Sequence, residues 1–238
     1  GTTVNHAYLH NVDIFQKLAL CPGDRINVYK ANQIIPQIAE NCVPGGVSRL
    51  PSLCPCCGSP LVIRESSGGT RQLYCDNKGC PAKLVRKFKH FCSKTRMGIE
   101  GLSELTLEKF IRHGWIRNYG DLFQLEQHRE AIIVTPGFGE KSFARLQKAI
   151  DKRRTCHLNE FVAALGIPEV GRHAGRILNS HFHGSWTKFE QAIKDQVDFT
   201  QLTDFGQIMH DNIYTWYADV ENAKLWRPAL DHITFLEE

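Results

Sequence analysis

The chain has 238 residues, 42% hydrophobic and 23% charged, enough for two or three compact units with real cores. No stretch approaches the ~20 consecutive apolar residues of a membrane helix, and the opening Gly1-Thr-Thr-Val-Asn-His6 lacks the basic and apolar segments of a signal or transit peptide; a cytoplasmic protein without a membrane role is expected. A formal charge of +4 does not separate a polyanion binder from a small-molecule enzyme, whereas nine cysteines with no export signal point to metal and away from disulfides.

Residues 1–50 read as a small β unit. Val4 to Leu9 is followed by a polar, helix-like patch, and then Asp24 to Lys30 alternates as a strand would after the Pro22-Gly23 turn. A second strand is expected over Ile34 to Ile38. Fifty residues are fewer than a closed OB-type barrel needs, so this segment is expected to be part of one, with the chain beginning inside a domain.

Residues 51–82 hold five of the nine cysteines, as Cys54-Pro-Cys56-Cys57-Gly58 and Cys75-Asp-Asn-Lys-Gly79-Cys80. Each group can present two thiolates from a tight turn, with Gly58 and Gly79 relieving strain, and two pairs make the tetrahedral sulfur shell that suits Zn²⁺. Cys54, Cys57, Cys75 and Cys80 are the expected ligands and Cys56 a bystander. Four sulfurs leave no place for a reactive water, so the zinc would be structural, stapling a segment poor in large apolar residues. Cys21, Cys42, Cys92 and Cys156 read as small core residues.

Residues 83–238 are helical in pattern and carry an internal repeat. Ile99-Glu-Gly101-Leu-Ser103, Thr135-Pro-Gly137-Phe-Gly139, Ile167-Pro-Glu169-Val-Gly171 and Leu202-Thr-Asp204-Phe-Gly206 have their centres 36, 32 and 35 residues apart. A helix pattern follows each, marked by Leu107, Phe110 and Ile111, by Leu146 and Ile150, by Ile177 and Leu178, and by Ile213, Trp216 and Tyr217. Gly137-Phe138-Gly139 resembles the turn of the helix-hairpin-helix motif, in which glycines let the backbone approach a phosphate and the following helix donates N–H groups to it. Ser103 replaces the second glycine of the first copy, and Glu169 and Asp204 the first glycine of the third and fourth. Lys141 and Arg172 add charge just after their turns, so the second hairpin ranks first as a phosphate contact, the third next and the fourth last.

Other chemistry has little support. Gly139-Glu-Lys141-Ser142 only imitates the end of a phosphate loop, and the eleven histidines form no His-x-Glu or His-Glu-x-x-His arrangement. The four tryptophans read as core, Trp115 and Trp226 with partial exposure, and Lys83 to Lys89 is either a phosphate-facing or a solvated helix face.

The order of these parts is similar to that of the bacterial NAD-dependent DNA ligases, across essentially the whole chain. Val4-Asn-His-Ala-Tyr-Leu9-His10-Asn11 resembles the family's Val-Ser-Arg-Ala-Thr-Leu-His-Asn, and Lys30-Ala-Asn-Gln-Ile-Ile35-Pro36 its Arg-Ala-Gly-Asp-Val-Ile-Pro, both in the OB domain. His90-Phe91 and Met97-Gly-Ile-Glu-Gly101-Leu resemble the lead-in to the hairpin region, although His6 stands where arginine is common, Asn32 replaces a glycine and Gly98 an aspartate.

The resemblance implies a multidomain, mainly α protein: a partial OB-type β barrel (1–50), a small tetracysteine zinc finger (51–82) and an all-α domain of four helix-hairpin-helix motifs (83–238). It further implies that nicked duplex DNA is held from the minor-groove side by backbone contacts at Gly101, Gly137, Gly139, Lys141, Gly171, Arg172 and Gly206, with His6 and Lys30 from the barrel. The family's adenylated Lys-x-Asp-Gly lysine is absent, so NAD and Mg²⁺ would be used by an N-terminal adenylation domain outside this chain, a BRCT domain would lie beyond Glu238, and the fragment alone would be an inactive, monomeric clamp acting at the nucleoid. A noncatalytic module for branched or nicked DNA in repair, and a zinc ribbon used only for protein contact, are the alternatives.

Overall fold

The computed structural model describes residues 3–43, 45–66 and 68–237, mostly helical with small two-stranded sheets. The chain divides into two compact units, Gly1–Cys80 and Pro81–Glu238. None of the helices among the described residues is long and apolar enough to cross a membrane.

In the first unit Asn11 caps α1 (Val12–Lys17), its side chain accepting from Ile14 N at 2.9 Å. β1 (Arg25–Ala31) and β2 (Ile35–Val43) form an antiparallel hairpin through the three residues Asn32-Gln33-Ile34, with φ of +49° at Asn32 and +65° at Gln33 and the turn closed by Ile34 N donating to Ala31 O at 3.1 Å. β2 runs past the expected Ile38. Register shifts skip Ala39 and Cys42, which breaks the alternation by which the strand could be read. Cys42 is exposed and Cys21 half-buried, so neither is the core residue expected. The Asp24 carboxylate gathers the ends of this hairpin, accepting from Cys21 N, Gly45 N and Asn41 Nδ2 at 2.7, 2.8 and 2.7 Å.

β3 (Leu61–Glu65) and β4 (Arg71–Cys75) form a second antiparallel hairpin, tied to α1 by Arg71 Nε donating to Asp13 at 2.7 Å. The buried apolar side chains of this unit, among the described residues, are only Val12, Leu20, Cys54 and Cys80. Such a core is small for some eighty residues.

The second unit has the continuous core. Its helices are α2 (Pro81–Cys92), α3 (Glu104–Arg112), α4 (Arg129–Ile133), α5 (Glu140–Asp151), α6 (Leu158–Ala164), α7 (Arg172–His181), α8 (Trp186–Lys194), α9 (Gln207–Ala218) and α10 (Val220–Trp226), with 3-10 turns over Tyr119–His128, Phe199–Gln201 and Arg227–His232. A short parallel pair, β5 (Thr155–Cys156) and β6 (Thr234–Phe235), joins the middle of the unit to its end. Leu107, Phe110, Leu146, Ile150, Leu178, Ile213 and Trp216 are all buried. Trp226 is fully buried, contrary to expectation, because Trp186 and Trp216 pack on it with ring centroids 5.4 and 4.8 Å away, while Trp115 keeps partial exposure between His113 and His128.

Two packing points carry tests. A Cβ on Gly120 would lie 2.6 Å from the Pro228 carbonyl oxygen, which is backbone and cannot swing aside. Gly120→Ala is expected to cost about 1–3 kcal/mol, read as a lowered melting temperature.

Glu190, on α8, accepts from Arg227 Nη1 at 2.7 Å, Tyr217 OH at 2.9 Å and Lys194 Nζ at 3.2 Å, joining α8 to α9 and the last 3-10 turn. Burial alone would raise its pKa, but these bonds outweigh it and hold the carboxyl below its ordinary value. A depressed carboxylate stabilises the fold above the unfolded pKa, and that contribution is lost as pH falls through the lower, folded one. The difference in melting temperature between wild type and Glu190→Gln should therefore shrink as pH is lowered below about 4.5.

Candidate metal centre and anion-facing turns

The first pair of cysteines sits on a tight turn closed by Gly58 N donating to Cys54 O and Cys54 N to Ser59 O, both at 2.8 Å. Gly58 has φ of +69°, which only glycine adopts without strain. Gly79 does not take a left-handed conformation. Its N–H instead donates to Asn77 Oδ1 at 2.9 Å, so the second turn is fixed by an asparagine side chain and not by glycine's freedom as expected. Cys75 ends β4, so the β3–β4 hairpin delivers the third sulfur to the other turn.

The four sulfurs of Cys54, Cys57, Cys75 and Cys80 all lie within 4.8 Å of one another, with Cys54–Cys80 at 3.9 Å and Cys57–Cys75 at 3.5 Å. Bonds of about 2.3 Å in a tetrahedron put sulfurs about 3.8 Å apart, so the group is placed to hold one metal ion. Cys56 is exposed and outside the group.

Backbone N–H groups of Cys56 and Cys57 lower the Cys54 pKa, and Ser59 brings Cys57 down to about 6, whereas burial and the neighbouring Cys57 push Cys75 up to about 12.

The four repeated segments take one geometry. Gly101, Gly137, Glu169 and Asp204 have φ of +95°, +91°, +60° and +61°, the left-handed region. Two residues later Ser103, Gly139, Gly171 and Gly206 are the N-caps of α3, α5, α7 and α9. Between them Leu102, Phe138, Val170 and Phe205 pack into the core. In the last three copies a turn closes from Phe138 N to Thr135 O (2.9 Å), Val170 N to Ile167 O (3.1 Å) and Phe205 N to Leu202 O (3.1 Å). Glu169 and Asp204 thus adopt the backbone of the glycine they replace, at a cost of about 1–2 kcal/mol each.

The turns are also braced in pairs, by residues that motif reading missed. Lys109 Nζ donates to Pro136 O at 2.6 Å, and Asn212 Nδ2 to Pro168 O at 3.0 Å. Lys109 lies six residues after its N-cap Ser103, and Asn212 six after Gly206; each reaches the residue before the left-handed position of another hairpin. That equal offset was the only sequence signal. His173 and Asp204, 3.4 Å apart, add a polar link between the third and fourth turns.

Gly139, Gly171 and Gly206 supply no side-chain cap, unlike Ser103, whose hydroxyl accepts from Thr106 N at 3.1 Å. A Cβ at any of the three glycines would meet nothing within 4 Å, and φ there is −166°, −91° and −87°, open to any residue. Neither internal packing nor backbone strain requires glycine. Each turn thus leaves first-turn N–H groups without a side-chain acceptor beside an open surface, which suits an external anion. Lys141 and Arg172, both exposed, stand in the first turns of α5 and α7. His6 and Lys30 are exposed residues of the first unit, Lys30 within β1.

No family model matches the chain. It is 39% identical over its whole length to a protein named DNA ligase from Lachnoclostridium phytofermentans and 38% identical to one from Ruminiclostridium cellulolyticum, covering 36% of each. Against a DNA ligase from Symbiobacterium thermophilum the identity is 36% over 94% of this chain and 33% of the relative. The chain spans about a third of the length of these curated relatives.

Proposed function

We propose that this chain, similar over its whole length to about a third of proteins named DNA ligase, is the portion of an NAD-dependent ligase that grips nicked duplex DNA by its backbone. The four repeats are read as helix-hairpin-helix motifs, and residues 1–50 as part of an OB-type barrel contributing His6 and Lys30. What carries the reading is the trio Gly139, Gly171 and Gly206: neither packing nor backbone strain calls for glycine there, and these helix starts lack the side-chain cap that Ser, Thr, Asp or Asn would supply. A phosphate oxygen can approach such a surface as it could not approach one bearing side chains.

Zinc in Cys54, Cys57, Cys75 and Cys80 completes the first unit, with a sulfur shell that leaves no position for catalysis. The chain's own residues then bind and orient the duplex. Adenylation from NAD with Mg²⁺, and sealing of the nick, belong to an adenylation domain of the full-length protein, and the fragment alone is expected to be inactive.

Binding of this chain to nicked and intact duplexes of unrelated sequence, measured across a salt series, tests the reading. Affinity should be blind to sequence and fall linearly on a log–log plot, by about 0.9 in slope for each phosphate engaged. Sequence-selective binding, or none at low salt, would refute it.

A further inference from the structure

We infer, resting on the DNA reading above, that a cavity of about 380 Å³ in the second unit is a seat for a further phosphate of the DNA backbone, next to the third hairpin turn. Four cations line the cavity: Lys94 and Arg96 from the loop after α2, and Arg172 and Arg176 from α7. Arg172 and Arg176 are one helical turn apart and so share a face. Arg172 directly follows Gly171, which places the cavity at the same helix start as the turn.

The loop is held in place. Arg96 N and Gly98 N both donate to Ser93 O at 2.9 Å, and Met97 between them is fully buried. The Arg96 guanidinium lies 3.4 Å from His90 Nε2 and donates to Thr95 O at 3.3 Å, with no carboxylate among its hydrogen-bond partners.

None of these four cations has an ion pair among the described residues. The carboxylate in the lining, Glu160, is already engaged, by Arg153 Nη1 at 3.0 Å and by His157 N at 3.1 Å. Converging like charges repel, so the arrangement costs free energy unless an anion joins it. Another cavity of the second unit shows the contrast: there Arg129 is paired with Glu126 and Glu140.

The lining favours backbone over base. Its one aromatic ring is His157, with no Phe, Tyr or Trp, whereas three guanidinium forks and an ammonium suit phosphate oxygens. A strand with one phosphate on the third turn presents its neighbour to these long side chains.

The test is the double variant Arg96→Gln/Arg176→Gln in the full 238-residue chain, with Arg96→Lys/Arg176→Lys as its partner, on nicked duplex across a salt series. The glutamine pair should lose about 0.9 in salt slope and about tenfold in affinity, equally on all sequences, with unchanged melting temperature; the lysine pair should keep the slope. If the glutamine pair keeps the wild-type slope while Gly139→Val weakens binding, the cavity is not a phosphate seat and the DNA reading stands. If the wild-type chain itself shows no salt-dependent binding, both fall.

Discussion

Removal of the metal, by a strong chelator or by Cys75→Ser, is expected to unfold the first unit while the second stays folded. The buried apolar side chains of residues 3–80, among those described, are Val12, Leu20, Cys54 and Cys80, and two of these four are sulfurs of the cluster. Val12 and Leu20 contribute about 1.5–3 kcal/mol each. A structural zinc in this group would contribute an apparent ~10–16 kcal/mol at neutral pH, so its removal should outweigh anything the apolar core supplies.

The second unit, with Phe88, Phe91, Phe110, Phe161, Phe189 and Trp226 all buried, has no such dependence. Metal content followed alongside amide hydrogen exchange checks this: protection should vanish from the first unit on metal loss and persist over α2–α10. Unchanged protection after verified metal loss would overturn the structural role. Loading at neutral pH should also release protons, because the cation binds thiolates and burial holds the Cys75 thiol above its ordinary range, and affinity should weaken as pH falls.

The second large effect separates two glycines of one turn. Gly139→Val is expected to cost about 1 kcal/mol or less, the N-cap preference for glycine over valine, and to lower affinity for every duplex about tenfold or more, since its Cβ meets nothing inside the protein and would stand where the proposed phosphate contact lies. Gly137→Val should cost stability as well. Its φ of +91° is strained for any L side chain and worst for a β-branched one, about 1–2 kcal/mol or more.

Parallel thermal melts and duplex titrations of the two variants decide the matter. Equal loss of stability in both would show that Gly139 is internally required, and a Gly139 variant with undiminished affinity would remove the turn from the interface. In the opposite sense, Glu169→Gly should tighten binding, because it relieves a left-handed glutamate and removes a negative charge beside the third turn.

Much of the candidate site was legible in the sequence because it depends on local chemistry. A cysteine turn or a glycine turn is set by a few consecutive residues, so the tetracysteine group and the four evenly spaced segments could be read from spacing, and the structure places both as geometry: sulfurs within 4.8 Å, and left-handed residues two positions before four helix starts. The helix-period apolar residues likewise fall in the core, since one face of each helix must be covered.

What went unread is non-local. The length of β2 was hidden by register shifts at Ala39 and Cys42, and Trp226 is buried because residues 186 and 216 meet it. The bracing of Pro136 by Lys109 and of Pro168 by Asn212, and the convergence of Lys94 and Arg96 with Arg172 and Arg176, join segments 27, 44 and roughly eighty residues apart. Local pattern fixes which turns and helices form, but which charges end up facing one another depends on how those helices pack, and only the tertiary structure decides that.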